Sequence, residues 1–342
     1  MTDILFPPEW HQQSGVQLTW PHAETDWQPI LGEVEECFCN IVNAIIKYEK
    51  LLIVTPNVEQ VKAILQAKGI ILENIRFFSC QTNDTWARDH GGITVLKDGK
   101  PVVLDFKFDG WGLKFAANFD NLITSNLYNA GYFSVGYENK LNFVLEGGSL
   151  ESDGKGTLLT TSECLLSPNR NGAWNKEKIE TYLKKQLGLK RVLWLNHGFL
   201  EGDDTDSHID TLARFCSEDT IAYVKCEDEN DVHFSALQEM ENELKTFTTL
   251  SGKPYRLLAL PMAEAVYYDN DRLPATYANF LIINNAVLYP TYNQTEKDNK
   301  TSEILKIAFP ERDIIGIDCT ALIKQHGSLH CVTMQYPEGV IE

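Results

Sequence analysis

The sequence has no Cys-x-x-Cys pair: its eight cysteines, at positions 37, 39, 80, 164, 216, 226, 319 and 331, are scattered. That excludes the usual zinc-ligand pattern and falls short of a disulfide scaffold, so reduced thiols are expected. No basic run followed by an apolar run opens the chain between Met1 and Trp10, and no segment reaches the unbroken apolar length of a membrane span. A soluble, cytoplasmic protein without a membrane partner is therefore expected. Gly/Ser-rich or proline-rich linkers and low-complexity tracts are missing too, which favours one domain over residues 1–342. Positive charge is scarce: 30 Lys and Arg face 48 Asp and Glu, a formal net charge of −18. Nucleic acid is disfavoured as a partner, and a cationic ligand is favoured by the field.

What is present can bury a large core, since 43% of the 342 residues are hydrophobic. Pro7, Pro8, Trp10, Trp20, Pro21 and Trp27 read as an irregular, packed wrap. Apolar spacing at Val34, Phe38, Ile41, Ala44 and Ile45 predicts a helix from about Trp27 or Pro29 to Tyr48. Strands are expected at Leu51–Pro56 and Ile75–Phe78, with a helix from Asn57 to Lys68 between them. Further strands are expected at Leu141–Glu146, Thr157–Thr161, Arg191–Leu195, His208–Phe215, Thr220–Lys225, Tyr255–Leu260, Tyr277–Asn284, Ala286–Tyr289, Ile314–Ile317 and His330–Gln335. Helices near Trp174–Leu187, Phe234–Thr249 and Thr301–Ala308 interleave with them. The strand mouths at Asp89, Glu146, His208, Asn279 and Cys331 recur at about 60 residues, longer than ordinary solenoid repeats. The spacing implies five α/β units of strand, turn, strand, helix, strand.

Each unit brings a polar group to its strand mouth. Asp89, Glu146, His208 with Asp210, and His330 with Cys331 would converge if the units surround one axis. Residues two apart on a strand share a face, which would point His208 and Asp210 into one pocket. Cys331 follows Gly327-Ser328-Leu329-His330 at the start of a short strand, a placement that suits a nucleophile as well as a buried structural cysteine. Carboxylates beside a thiol raise its pKa, so a cation must offset them. A planar guanidinium fits paired carboxylates in bidentate geometry.

Trp86-Ala87-Arg88-Asp89, Gly110-Trp111-Gly112, Glu146-Gly147-Gly148, Pro168-Asn169-Arg170-Asn171, the run Gly202 to Asp210, and His330-Cys331 occur in order across nearly the whole chain. In this the sequence resembles the agmatine deiminases and Porphyromonas-type peptidylarginine deiminases of the guanidine-modifying superfamily. That resemblance implies a five-bladed pseudo-symmetric α/β propeller (pentein fold). One departure is Gln325-His326-Gly327-Ser328, where family members usually carry a Gly-Gly-Asn-type run before the His-Cys pair. It implies hydrolysis of agmatine to N-carbamoylputrescine and ammonia through a covalent Cys331 thiouronium, with no metal or cofactor. Asp89 and Asp210 would grip the guanidinium, His208 would move protons, and Glu146 would orient His208 or take a third substrate N–H. Trp86 would line the channel, and Asp204 is a candidate for the distal amine. Deimination of free or peptidyl arginine is the alternative, although secreted peptidyl forms carry a signal peptide and C-terminal extension not seen in this sequence. An amidinotransferase or dimethylarginine hydrolase lacks support in these motifs. An inactive binder of cationic amines is the reading from another class. The assembly state stays open, a homo-oligomer included.

Overall fold

The computed structural model describes residues 3–342 as an α/β protein. Its strands form five sheets of three or four strands and a separate hairpin, Val266–Tyr268 with Asp271–Leu273. One connection recurs in all five sheets. A first strand pairs antiparallel with a second, and the second pairs parallel with a third after a helical crossover. Parallel neighbours require such a crossover, because a tight turn can only reverse the chain. In one sheet, for example, Ala213–Ser217 meets Thr220–Lys225, and helix Phe234–Thr246 leads to Arg256–Pro261. The sheet formed last in the chain order closes between the two ends, with Thr333–Pro337 antiparallel to Gln13–Thr19.

Local sequence explains the elements. Leu51, Leu52, Ile53 and Val54 are all fully buried, as expected of a strand covered on both faces. Helix Leu31–Ile45 buries Val34, Phe38, Ile41, Val42 and Ile45, one stripe of a helical period. Among the described residues no helix is long and apolar enough to cross a membrane.

The observed strands differ from the expected ones at several points. Gln13–Thr19 is a central strand, although Trp20 and Trp27 are buried as expected of the packed wrap. His208 lies outside any strand: Ile209–Thr211 is a single helical turn, and the strand starts at Ala213. A shared strand face therefore does not explain how His208 and Asp210 come together. Likewise only Leu281–Ile283 of Tyr277–Asn284 is strand, and Cys331 precedes its strand at Thr333. Hydroxyls set these turns. Ser149, Thr211 and Thr333 each donate both N–H and O–H to the carbonyl three residues back, on Glu146, His208 and His330. Such side-chain-to-backbone bonds offer the chain an alternative to the sheet ladder.

Candidate active site

The polar groups sit on the short turns that precede the first strand of each sheet. Asp89 is on the turn Ala87–His90 before Ile93–Lys97, and Glu146 precedes the turn Gly147–Ser149 before Glu151–Ser152. His208 and Asp210 precede Ala213–Ser217, Asn279 precedes Leu281–Ile283, and His330 with Cys331 precedes Thr333–Pro337.

Cys331 is buried at 5% exposure at the floor of a cavity of about 120 Å³. Its thiol reaches Asn279 Oδ1 at 3.4 Å and Asp210 Oδ2 at 4.0 Å. Asn279 also accepts from the N–H of His330 at 2.8 Å and of Cys331 at 3.3 Å, and the Arg88 N–H donates to the Cys331 carbonyl at 3.1 Å. These bonds fix the cysteine backbone. Burial, then Asp210 and Asp89, push the thiol well above its ordinary pKa.

Asp89 accepts from Trp111 Nε1 at 2.9 Å and from the Gly148 N–H at 3.1 Å. Burial, followed by the charge of Asp210, nevertheless raises it well above the usual carboxylate range. Trp111 reaches it from a strained loop in which Gly110, Trp111, Gly112 and Leu113 all have positive φ. An L residue in that region costs about 1–2 kcal/mol, so two such residues mark a geometry that packing must enforce. Gly148 is required by close approach: a Cβ there would lie 2.5 Å from His208 Nδ1 and 2.8 Å from Asp89 Oδ1.

His208 is fully buried, 3.5 Å from Asp89 Oδ1 through Nδ1, and neither ring nitrogen has a hydrogen-bond partner. Burial pulls its pKa down to about 3 against the opposing charge of Asp210, so the resting imidazole is neutral. Glu146 makes no hydrogen bond to it. Oε1 of Glu146 accepts from Arg170 Nε at 2.8 Å, while Oε2 is unpartnered. A Glu146 oxygen, a His208 ring nitrogen and the Cys164 sulfur lie within 4.8 Å of one another. These types can ligate a metal, but the Arg170 guanidinium beside Glu146 opposes a second cation. Asp210 Oδ2 accepts from His330 Nδ1 at 2.7 Å and Oδ1 is free. Burial raises Asp210, but the His330 bond and charge outweigh it and leave the carboxyl below its ordinary pKa.

Trp86 lines the cavity, and its indole lies against Gly327, where a Cβ would come within 2.1 Å of the ring. In the departure before the His-Cys pair, His326 takes a left-handed φ of 67° and hydrogen-bonds the Gly202 carbonyl at 2.7 Å. Of Asp203, Asp204 and Asp206 only Asp204 lines the cavity, together with Asp26 and Asp84. The other acidic residues of the run Gly202 to Asp210 before His208 are tied within the protein. Asp203 accepts from Thr205 Oγ1 and the Ser207 N–H, and Asp206 pairs with Arg170 at 2.5 Å and Lys114 at 2.6 Å.

Five predicted polar residues thus come together: Cys331 and Asp89 line the cavity, Asp210 lies 4.0 Å from the thiol, His208 is 3.5 Å from Asp89, and Glu146 has an oxygen within 4.8 Å of a His208 ring nitrogen. Arg170, read from sequence as part of a structural loop, instead bridges Glu146, Asp206 and the Thr205 carbonyl. The bond from Trp111 to Asp89, the contact of Asn279 with the thiol and the place of Asp84 in the cavity lining are contacts that sequence reasoning missed, although Asn279 is one of the expected strand mouths. The hydroxyl three residues after Glu146, His208 and His330 is the signal that would have aligned the three turns.

The model of the Porphyromonas-type peptidyl-arginine deiminase family matches residues 5–337. The chain belongs to that family. A Legionella pneumophila (strain Paris) family relative, provisionally named an agmatine deiminase, is 32% identical over 98% of this chain and 96% of its own. A crystal structure from Porphyromonas gingivalis, provisionally named an arginine deiminase, is 55% identical over 99% of this chain and 100% of that one, with a TM-score of 0.95. A cysteine-to-serine variant of C. jejuni agmatine deiminase with substrate bound is 40% identical over 98% and 97%, with a TM-score of 0.91. At the level of fold alone, the family chain also resembles an amidinotransferase from Microseira wollei, at 14% identity over 99% of both chains and a TM-score of 0.52.

Proposed function

We propose that the protein is an agmatine deiminase that works through a covalent intermediate on Cys331. The observation that carries this reading is a cavity-lining thiol under the influence of two buried carboxylates on different turns, Asp89, which lines the same cavity, and Asp210, 4.0 Å from the sulfur. Two carboxylates that raise the thiol pKa are harmful to a nucleophile unless the substrate itself is cationic. A guanidinium between them neutralises the conflict and places its central carbon against sulfur. In the reaction the thiol proton passes to His208 and sulfur bonds to the guanidinium carbon. The C–N bond then breaks, with ammonia leaving on the proton held by His208. Water attacks the resulting thiouronium as His208 takes its proton. Collapse forms the carbonyl and breaks the C–S bond, His208 returns its proton to sulfur, and the remaining O–H proton passes to solvent, where it converts the ammonia to ammonium, leaving a ureido product. Neutral His208 in the resting site suits it to receive the first proton.

The tail selects agmatine in this reading. Asp26, Asp84 and Asp204 stand at the mouth, and no lysine or arginine is among the described residues lining the cavity to pair an α-carboxylate. A like-charge contact disfavours free arginine. The five sheets are read as blades of one closed propeller domain over residues 1–342. The repeated connection, the pairing of the two chain ends and the five turns around Cys331 support that arrangement. Eight free cysteines support a reducing, cytoplasmic setting.

The test is ammonia release from agmatine, free arginine and a blocked arginine peptide at equal concentration. Agmatine is expected to lead free arginine by about a hundredfold or more in kcat/KM. Comparable turnover of arginine would favour the alternative substrate, which the Porphyromonas gingivalis relative's name raises, and no ammonia from any of the three would leave a cation binder.

A further inference from the structure

Asp210 begins a buried chain of charges that runs away from the cavity. His330 donates from Nδ1 to Asp210 Oδ2 at 2.7 Å, and its Nε2 lies 2.7 Å from Glu9 Oε2. Glu9 comes from the other end of the sequence and is fixed from three sides. Arg214 Nη2 donates to Oε2 at 2.8 Å, the Ile282 N–H donates to Oε1 at 2.7 Å, and Arg88 Nη2 lies 3.7 Å away. Glu151 completes the group through its pair with Arg214.

Proton counting decides the state of the histidine. A neutral imidazole has one N–H, so two carboxylate oxygens at 2.7 Å would set one lone pair against another. A second proton must reside in the triad. Burial works to raise both carboxylates, but Arg214 and His330 outweigh it at Glu9, and His330 does so at Asp210. Both acids end below their usual range, which leaves the second proton on His330. Burial, Arg214 and Arg88 outweigh Glu9 and Asp210 and set the imidazole below its ordinary pKa, so it is the geometry, a carboxylate oxygen 2.7 Å from each ring nitrogen, that assigns the second proton to His330.

We propose that Glu9 and His330 are positioning residues for the reaction, holding Asp210 ionised with Oδ2 engaged and Oδ1 free for the guanidinium. This rests on the deiminase reading given above. The Oδ1 atom is buried and has no partner in the protein, which is the state a substrate-gripping oxygen needs. Without the charge of Glu9, His330 becomes a neutral donor and Asp210 binds a proton more readily. Of the other groups facing Asp210, His208, Asp89 and the Cys331 thiol do not touch Glu9, whereas Arg214 loses its charged Glu9 partner and keeps Glu151.

The experiment combines a pH profile of kcat/KM on agmatine with NMR of histidine-labelled protein, for the parent, Glu9→Gln and Glu9→Asp. In Glu9→Gln the acid limb should move up by about one pH unit, as expected when a charged hydrogen-bond donor becomes neutral. Activity should recover as the pH rises, and Glu9→Asp should restore part of the shift. The His330 ring should report an imidazolium in the parent at neutral pH and a neutral imidazole in Glu9→Gln. An unmoved acid limb with a lowered Tm would make Glu9 merely structural, and a neutral His330 in the parent would overturn the proposal outright. Were the parent to turn over no guanidino compound, the deiminase reading would fail, while the ring protonation would still test the triad. If Glu9→Gln does not fold, Glu9→Asp and the parent NMR decide the matter.

Discussion

Burial and the charge of Asp210 push the Asp89 carboxyl well above its ordinary pKa, and burial with Asp210 and Asp89 does the same to the Cys331 thiol. Binding a guanidinium reverses both preferences, so the complex should release protons. The sign follows: a raised pKa in the free site means that affinity improves as pH rises toward it. Calorimetry of agmatine binding to Cys331→Ala, in buffers of different ionisation enthalpy, should show proton release and an affinity gain of up to about tenfold per pH unit. Asp89→Asn should remove most of that release; proton uptake, or no pH dependence, would contradict the assigned state. The sequence names the reacting atoms well because a thiol, an imidazole and carboxylates carry their chemistry in their identity. It does not show Trp111, Arg170 or Glu9 as their partners. A tryptophan reads as core, Arg170 as loop, and Glu9 meets His330 only across 321 residues of chain.

The turns that hold these residues were legible in position but not in shape. Helices and buried strands emerged from apolar periodicity, as at Leu51–Val54 and Leu31–Ile45. The strand Gln13–Thr19 did not, because its Gln13, Ser14 and Gln17 are polar even though Gln13 and Gln17 are buried in the structure. At His208 the expected strand, His208–Phe215, starts earlier than the hydroxyl of Thr211 permits. The turn Gly147–Ser149 offers a direct probe. Gly148→Ala would drive a methyl against His208 and Asp89 at distances no real Cβ occupies. Displacement by about 1 Å in a catalytic geometry costs on the order of a hundredfold. Gly148→Ala should therefore lose about that much kcat/KM while remaining folded by circular dichroism, and parent-like activity would mean that the turn is free to relax.

Across the whole molecule, buried acids make the formal charge of −18 an overstatement near neutral pH. Burial pushes Glu49 and Glu151 up to about 7 and Asp120 to about 8. Each is raised above its unfolded value, so the folded chain binds more protons than the unfolded one and stability rises as pH falls from about 8 toward 6. Each fully differing proton contributes about 1.4 kcal/mol per pH unit. Below about 6.5 the sign turns for His208 and His90, both held near 3 by burial, since unfolding then takes up protons. Urea midpoints measured between pH 5 and pH 9, on the order of one unit apart, should accordingly peak on the mildly acidic side. A steady rise in stability toward alkaline pH would contradict these buried states.

Turns that carry Asp89, Asp210 and Asn279 lie near one thiol, and that thiol is where the account is most exposed. Intact-mass analysis of the enzyme quenched in acid during agmatine turnover reads it directly. The account predicts a transient adduct of substrate minus ammonia, mapped by peptide sequencing to Cys331, and absent together with ammonia release in Cys331→Ser. Turnover with no adduct and with activity retained in Cys331→Ser, or an adduct on another of the eight cysteines, would contradict it.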